Sequence, residues 1–148
     1  MRIVQIGIVL ILVGAGVVGF VFRDKLTGSV ESLQVGDCFE VPAGETIEEV
    51  QHRPCTEPHD GEVFVVRDYT GADTYPTIAE FDAWVEQQCA GADFIAYTGD
   101  LYDARQDVGV GYLYPLEDGW GSGDREMTCY LSPTDGGTVS ASYRRAGN

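Results

Sequence analysis

Residues 55–67 read Cys-Thr-Glu-Pro-His-Asp-Gly-Glu-Val-Phe-Val-Val-Arg and carry the strongest structural signal in the chain. The second half of this stretch, residues 61–67, is rich in valine and aromatic character, which is typical of a buried β-strand. The first half, residues 55–60, combines a cysteine and a proline with polar residues, which is typical of a constrained loop. The stretch therefore predicts a loop held by Cys55 that leads directly into a strand.

Further strands are predicted on both sides of this stretch. Their ranges are 34–41, 47–52, 108–114, 127–131 and 139–143. Residues 92–107 are compatible with either helix or loop, and residues 117–124 are predicted to form a glycine-rich loop around Trp120. The pattern of several short strands separated by turns favours an antiparallel sheet.

Residues 78–90 carry the clearest helix signal. Thr77 can cap the amino end, and Glu80 three residues later completes a capping box. Phe81, Val85 and Cys89 recur every four residues, so one face of the helix is apolar. Helix and strands together predict an α+β fold, in which a small disulfide-stapled antiparallel sheet packs against one main helix.

Residues 3–22 form a run of twenty residues without a charge. Twenty helical residues rise about 30 Å, which matches the hydrocarbon thickness of a bilayer. The run is longer than the apolar region of a signal peptide, and the charged flank at residues 23–25 follows it. We therefore expect an uncleaved transmembrane anchor with its flanks at residues 1–25, a linker at residues 26–33 and an exported domain at residues 34–148.

Ala15 and Gly19 form a pair of small residues four apart within this apolar run. Such a pair allows two membrane helices to approach closely, so a homodimer through Ala15 and Gly19 is one interpretation. The alternative is that these residues reflect only the frequent use of glycine in membrane helices.

The charge balance restricts the class of partner. The chain has 9 basic and 24 acidic residues and a net charge of −15. Six basic residues remain after residue 25, so the expected domain is more acidic still. A surface of this sign repels phosphate groups, which excludes nucleic acid as a partner and argues against binding flat on anionic lipid. The 16 aromatic residues and four cysteines argue against disorder.

Cys38, Cys55, Cys89 and Cys129 are an even number of cysteines in a small acidic domain behind an apolar segment. This pattern favours disulfides in an oxidising compartment, because no closely spaced pair suggests zinc and no C-x-x-C motif is present. Three pairings are possible. We favour Cys38 with Cys55, which closes a strand–loop–strand unit, and Cys89 with Cys129, which fixes the helix to a strand. Disulfides place the domain outside the cytoplasm.

His59, Asp60 and Glu62 gather titratable groups in one short segment. A histidine beside carboxylates could act as a general base, which makes a cell-envelope hydrolase using His59 and Glu62 one alternative. No serine nucleophile motif accompanies these residues. The other interpretation is that His59 satisfies backbone groups in a tight loop.

Carboxylates also cluster in two later segments, and their oxygens are the ligands that calcium prefers. These residues are Asp100, Asp103, Asp107, Glu117, Asp118 and Asp124. Neither cluster matches the calcium-loop pattern, since the third and fifth positions from Asp118 are Trp120 and Ser122. A calcium-dependent adhesion module is therefore a further alternative, and solvated acidic loops are the simpler interpretation.

Several motifs in fixed order resemble the septum-formation-related domain. They are V-G-D-C-F at 35–39, C-x2-P-H-D-G-E-V-F at 55–64, Y-P at 75–76, a helix ending in Cys89, and W-x2-G-D-R-x3-C-Y at 120–130. The resemblance covers residues 33–132. After residue 132 the chain matches the family less well, because the family often ends in a T-G-S-like strand where this chain has Thr-Val-Ser-Ala at 138–141.

This family comprises small actinobacterial proteins, typically a membrane anchor followed by one exported domain. The resemblance implies a single pass through the bacterial cell membrane, an extracytoplasmic C-terminal domain and a link to cell division. It transfers no catalytic residue, so we expect a binding domain for a cell-envelope or division protein, without catalysis, cofactor or metal. The motif residues expected to serve the fold or a partner are His59, Asp60, Glu62, Trp120, Asp124 and Arg125.

Overall fold

The computed structural model describes residues 27–44 and 46–147. The predicted anchor, including Ala15 and Gly19, lies outside these residues. Within the described ranges, no helix combines the length and apolar character needed to cross a bilayer.

The described chain forms one six-stranded antiparallel sheet with three α-helices, which is the α+β arrangement predicted. The strands are β1 (Thr27–Ser29), β2 (Cys38–Glu40), β3 (Glu49–Arg53), β4 (Gly61–Asp68), β5 (Val108–Leu113) and β6 (Glu126–Pro133). Their spatial order is β1-β3-β2-β4-β6-β5. The helices are α1 (Ile78–Gln88), α2 (Ala92–Thr98) and α3 (Glu117–Gly121), with 3-10 turns at Val30–Ser32 and Tyr102–Ala104.

Helix α1 begins as the sequence predicts. The side chain of Thr77 accepts a hydrogen bond from the Glu80 backbone, and the Glu80 side chain accepts one from the Thr77 backbone. These reciprocal bonds satisfy amide groups that the first helical turn otherwise leaves unpaired. Phe81 and Val85 are buried, so the predicted apolar face of α1 is confirmed.

Both predicted disulfides form. Cys38–Cys55 links β2 to the loop before β4, with the two Cα atoms 5.3 Å apart. Cys89–Cys129 joins the end of α1 to β6, with the Cα atoms 6.4 Å apart. The second bridge therefore fixes the main helix to the sheet.

Strand β4 separates two apolar cores. Successive strand residues point to opposite faces, but a register shift between Val63 and Val65 places Phe64 and Val65 both in the core under the helices. Val63 faces a smaller core on the other side of the sheet. The buried members of this smaller core are Leu33, Phe39, Val50 and Val63.

The described part of the expected linker, residues 27–33, is partly integrated into the domain. Strand β1 pairs with β3, and Leu33 is buried in the smaller core. Apolar burial of Leu33 explains why this segment packs on the sheet instead of extending as a spacer.

The predicted strand at 139–143 is wrong. Val139 makes only an isolated bridge with His59, and the chain then crosses to α2, where the Arg145 amide donates to the Tyr97 carbonyl. The polar side chains of this segment find partners inside the domain, which a surface strand would not offer them.

The predicted loop at 117–124 is also wrong, because residues 117–121 form α3. Burial of Trp120 and the acidic residues Glu117 and Asp118 in the first turn favour this helix despite its glycines.

Candidate functional site: a buried histidine–glutamate pair and an acidic groove

His59 lies at the end of the disulfide-linked loop and is only 1% exposed. Its Nδ1 atom lies 2.8 Å from the carbonyl oxygen of Glu57. Because a carbonyl only accepts, Nδ1 carries the proton of this hydrogen bond. The opposite ring atom, Nε2, has no hydrogen-bond partner among the described residues and lies 3.9 Å from Oε2 of Glu62.

Glu62 is fully buried in β4 and accepts three hydrogen bonds. The hydroxyl of Tyr97 donates at 2.6 Å, the hydroxyl of Ser142 at 2.5 Å and the backbone N–H of Tyr143 at 2.8 Å. Charge-assisted bonds of this kind are stronger than neutral ones. Glu62 therefore ties three separate parts of the chain together: the sheet, helix α2 and the C-terminal segment.

Tyr97 is held as a hydrogen-bond donor in this network. Burial, followed by its hydrogen bond to Glu62 and the negative charge of that carboxylate, raises the pKa of Tyr97 above its ordinary value. The hydroxyl of Tyr97 consequently keeps its proton at neutral pH.

The position of His59 and Glu62 is unsuited to acid–base chemistry on an external substrate. A general base must come within hydrogen-bond reach of the proton that it removes. Neither side chain has exposed surface, and neither lines the acidic groove or the small cavity beside Tyr97. The pair is placed to hold the fold.

Cys38, His59 and Glu62 are the one group in the described ranges whose possible ligand atoms lie close enough to share a metal ion. The sulfur of Cys38 is bonded to Cys55, so it is not available as a thiolate ligand. The Glu62 oxygens are already occupied by three donors. These residues therefore do not fit a metal site in the disulfide-bonded protein.

The remaining loop-motif residue, Asp60, also serves the fold. Its Oδ1 atom accepts a hydrogen bond of 2.6 Å from the backbone N–H of Val41. This bond fixes the end of β2 against the start of β4.

Trp120 is 4% exposed and belongs to the core under the helices. Its indole N–H donates to the carbonyl of Asp73 at 3.3 Å. The guanidinium of Arg125 lies 3.7 Å from the Trp120 ring centre and donates to the carbonyls of Trp120 and Asp124 at 2.7 Å. This cation–π contact uses the Arg125 charge within its own loop.

Asp124 stabilises the backbone of the same loop. Its Oδ1 atom accepts a hydrogen bond of 3.0 Å from the Glu126 amide, at the start of β6. The structure thus gives each predicted motif residue a place in the fold, but in two separate groups: His59, Asp60 and Glu62 at one end of β4, and Trp120, Asp124 and Arg125 before β6.

A groove of about 780 Å³ opens beside the smaller core and was not predicted from the sequence. Its apolar surface comes from Val30 and Ile47 on one side and from Leu113 and Leu116 on the other. Since β1 and β5 are the outermost strands in the sheet order, the sheet curls enough to bring its two edges to one groove.

Five carboxylates also line this acidic groove. They are Glu31, Glu48, Asp118, Asp124 and Glu126. Among the described residues of the lining, none is basic. Asp118 and Asp124 belong to a cluster that the sequence singles out, whereas Glu31 and Glu48 carry no local signal, because tertiary folding alone brings them to the same groove.

Glu126 shows that these carboxylates influence one another. Burial is the main cause that raises its pKa, and the negative charges of Asp124, Asp68 and Glu31 raise it further. Glu31 lies on the β1 side of the groove and Glu126 on the β6 side, so the repulsion between these two carboxylates acts across the groove. The groove therefore carries negative charge that no basic residue of its described lining neutralises.

No curated protein and no solved structure matches the chain. The sequence model of the septum formation family matches residues 35–148, a range that holds both disulfides and both motif groups. This match confirms the predicted relationship and extends past residue 132, the predicted limit of the resemblance, to residue 148, and the chain belongs to the septum formation family.

Proposed function

We propose that this protein is a membrane-anchored, extracytoplasmic binding domain that acts in cell division or a related process of the cell envelope, without catalysis of its own. Membership of the septum formation family indicates the relation to cell division. The observation that carries the binding role is a contrast within the domain: His59, Glu62 and Trp120 are buried and used by the fold, whereas the acidic groove is open.

The location outside the cytoplasm is supported by the cysteines. All four are paired in disulfides, which persist mainly in oxidising compartments. The anchor is supported by the twenty uncharged residues at 3–22, which are long enough to span a bilayer. A single pass then leaves the disulfide-bonded domain on the outer side of a bacterial cell membrane, where Ala15 and Gly19 offer a contact for a second copy.

The topology is tested by thiol alkylation of the full chain in native membranes, followed by intact mass measurement with and without reductant. We expect four protected thiols that react only after reduction, and a domain that external protease can reach in spheroplasts. Free thiols, or a domain protected from external protease, would overturn the proposed location.

The absence of catalysis is tested separately with purified peptidoglycan. We expect no release of soluble fragments above the level given by a His59→Gln variant. Release that disappears in His59→Gln, while the melting curve of the variant is retained, would identify an enzyme and overturn this part of the proposal.

A further inference from the structure

We infer that the acidic groove binds a cationic amphipathic polypeptide segment, whose lysine or arginine side chains meet the acidic rim and whose apolar side chains cover the floor. This inference rests on the proposed binding function and gives the chemistry of the partner. It is independent of the buried His59–Glu62 pair.

The shape and floor of the groove suit a peptide. Its volume of about 780 Å³ lies within the roughly 300–1,000 Å³ of typical ligand sites. Leu116 is 51% exposed at its margin, and Val30, Ile47 and Leu113 are only partly buried against the smaller core. A partner that covers these side chains removes apolar surface from water, which favours binding.

The charges of the rim indicate the sign of the partner. Elsewhere in the domain several acidic side chains pair with arginine: Arg53 pairs with Glu40, Arg67 with Asp93, and Arg105 with Asp100 and Asp107. The arginine nearest in sequence to Glu126 is Arg125, and its guanidinium is directed onto Trp120. The rim is thus left without a cation from the described chain, and the partner supplies one.

The spacing of the carboxylates favours an extended cationic chain over a single metal ion. In the described ranges, no three groove carboxylates lie close enough to ligate one ion. Calcium needs several oxygen ligands around one centre. Charge distributed along an apolar groove is instead complementary to a peptide that carries separate basic side chains.

The groove begins only a few residues after the predicted membrane segment, and this restricts the position of the partner segment relative to the membrane. Ser29, the first residue of its lining, follows the predicted membrane segment by seven residues. Seven fully extended residues span at most about 25 Å. If the anchor is inserted, the groove therefore meets partner segments close to the membrane surface.

The test uses the full chain in nanodiscs of phosphatidylcholine, which carry no net charge, and isothermal titration calorimetry. The probe is a ten-residue peptide of alternating lysine and leucine. Two control peptides replace every lysine by glutamate or every leucine by serine, and empty nanodiscs give the background. We expect binding of the probe, and affinity at least about tenfold lower for each control peptide.

Paired variants then locate the binding site. Glu31→Gln with Glu126→Gln removes two rim charges, and Glu86→Gln with Asp103→Asn removes two exposed charges outside the groove. We expect the groove variant to weaken binding roughly fivefold and the control to change it less than twofold. Equal effects of the two variants would show attraction by net charge alone and would overturn the inference.

A second pair of variants, one at the groove and one elsewhere, tests the apolar part of the site. Leu116→Ser changes an exposed leucine at the groove, and Leu101→Ser changes a leucine that is 64% exposed elsewhere. Only Leu116→Ser should weaken binding, with the melting temperature of both variants retained. Equal weakening by both would overturn the inference.

Failure of this inference is distinguishable from failure of the proposed function. Absence of probe binding, or binding of calcium alone, overturns the peptide assignment while the alkylation and protease results still support an anchored external domain. A cytoplasmic location in those experiments overturns the proposed function, whatever the peptide measurement gives.

Discussion

Two acidic regions of this domain differ in the groups that surround their carboxylates. Glu62 is fully buried and accepts hydrogen bonds from Tyr97, Ser142 and the Tyr143 amide. Glu126 lies in the acidic groove, where Asp124, Asp68 and Glu31 raise its pKa together with burial. Glu62 is thus surrounded by hydrogen-bond donors, whereas Glu126 lies near other carboxylates.

This difference shows which carboxylate the fold requires and which one it tolerates. A buried charge is retained only when hydrogen bonds replace its lost hydration, and three donors do this for Glu62. The groove carboxylates stay partly hydrated, so their charge persists at a modest cost without the three donors that Glu62 needs. Removal of Glu62 should therefore destabilise the protein, and removal of Glu126 should not.

The largest effect is expected for Glu62→Ala. The change leaves three donors without their acceptor and removes the link that Glu62 makes between α2 and the C-terminal segment, at a cost of about 3–5 kcal/mol in the free energy of unfolding. Chemical denaturation followed by circular dichroism measures it. Glu86→Ala, an exposed control, should shift the same free energy by less than about 0.5 kcal/mol. Similar values for the two variants would contradict the role assigned to Glu62.

The next effect concerns the disulfide beside the buried pair. Cys38 pairs in register with Glu62, and Cys55 begins the loop that carries His59. Replacing both cysteines by alanine removes a cross-link over 17 residues, with an expected loss of about 3 kcal/mol. Hydrogen exchange should show that the amide of His59 loses protection. Retained protection at that amide would mean that the loop is held without the bridge.

A smaller effect isolates one hydrogen bond of the Glu62 network. Tyr97→Phe removes the hydroxyl that donates to a buried carboxylate at 2.6 Å, with an expected cost of about 2 kcal/mol. Tyr112 offers a matched control, because its hydroxyl donates at the same distance to the exposed carboxylate of Asp82. Tyr112→Phe should cost less than about 1 kcal/mol. Equal losses would show that burial does not strengthen the bond.

The smallest effect is expected at Glu126, where a substitution should raise the free energy of unfolding instead of lowering it. Because its pKa is raised in the folded protein, the folded state holds this proton more tightly than the unfolded chain does. Stability contributed by Glu126 is thus present at acidic pH and is lost as pH rises through the unfolded and then the folded pKa. Glu126→Gln should stabilise the protein by about 0.5 kcal/mol at pH 7, since solvent screens this partly exposed group.

The same variant makes a second, pH-dependent measurement possible. Melting temperatures recorded from pH 4 to pH 7 should separate as pH rises, with Glu126→Gln above the wild type. Asp103→Asn, a change at an exposed site outside the groove, should follow the wild type throughout. A lower melting temperature for Glu126→Gln at pH 7 would mean that the Glu126 charge stabilises the fold.

Local signals in the sequence predicted much of the fold. Helix α1 followed from its cap and its apolar spacing, and β4 followed from its valine-rich composition, because both signals are carried by neighbouring residues. The predictions failed where distant contacts override local preference. Glycines favoured a loop at 117–124, but burial of Trp120 stabilises α3 there.

The sequence by itself determined the α+β class, the family relationship, the presence of two disulfides and the strongly acidic charge, since composition, spacing and motif order carry these properties. Only the tertiary structure decided that Glu62 is a buried link to residues 142–143 and that Glu31 and Glu126 face one groove. The physical reason is distance along the chain. Residues some 80 or 95 positions apart become neighbours only when the sheet forms and curls.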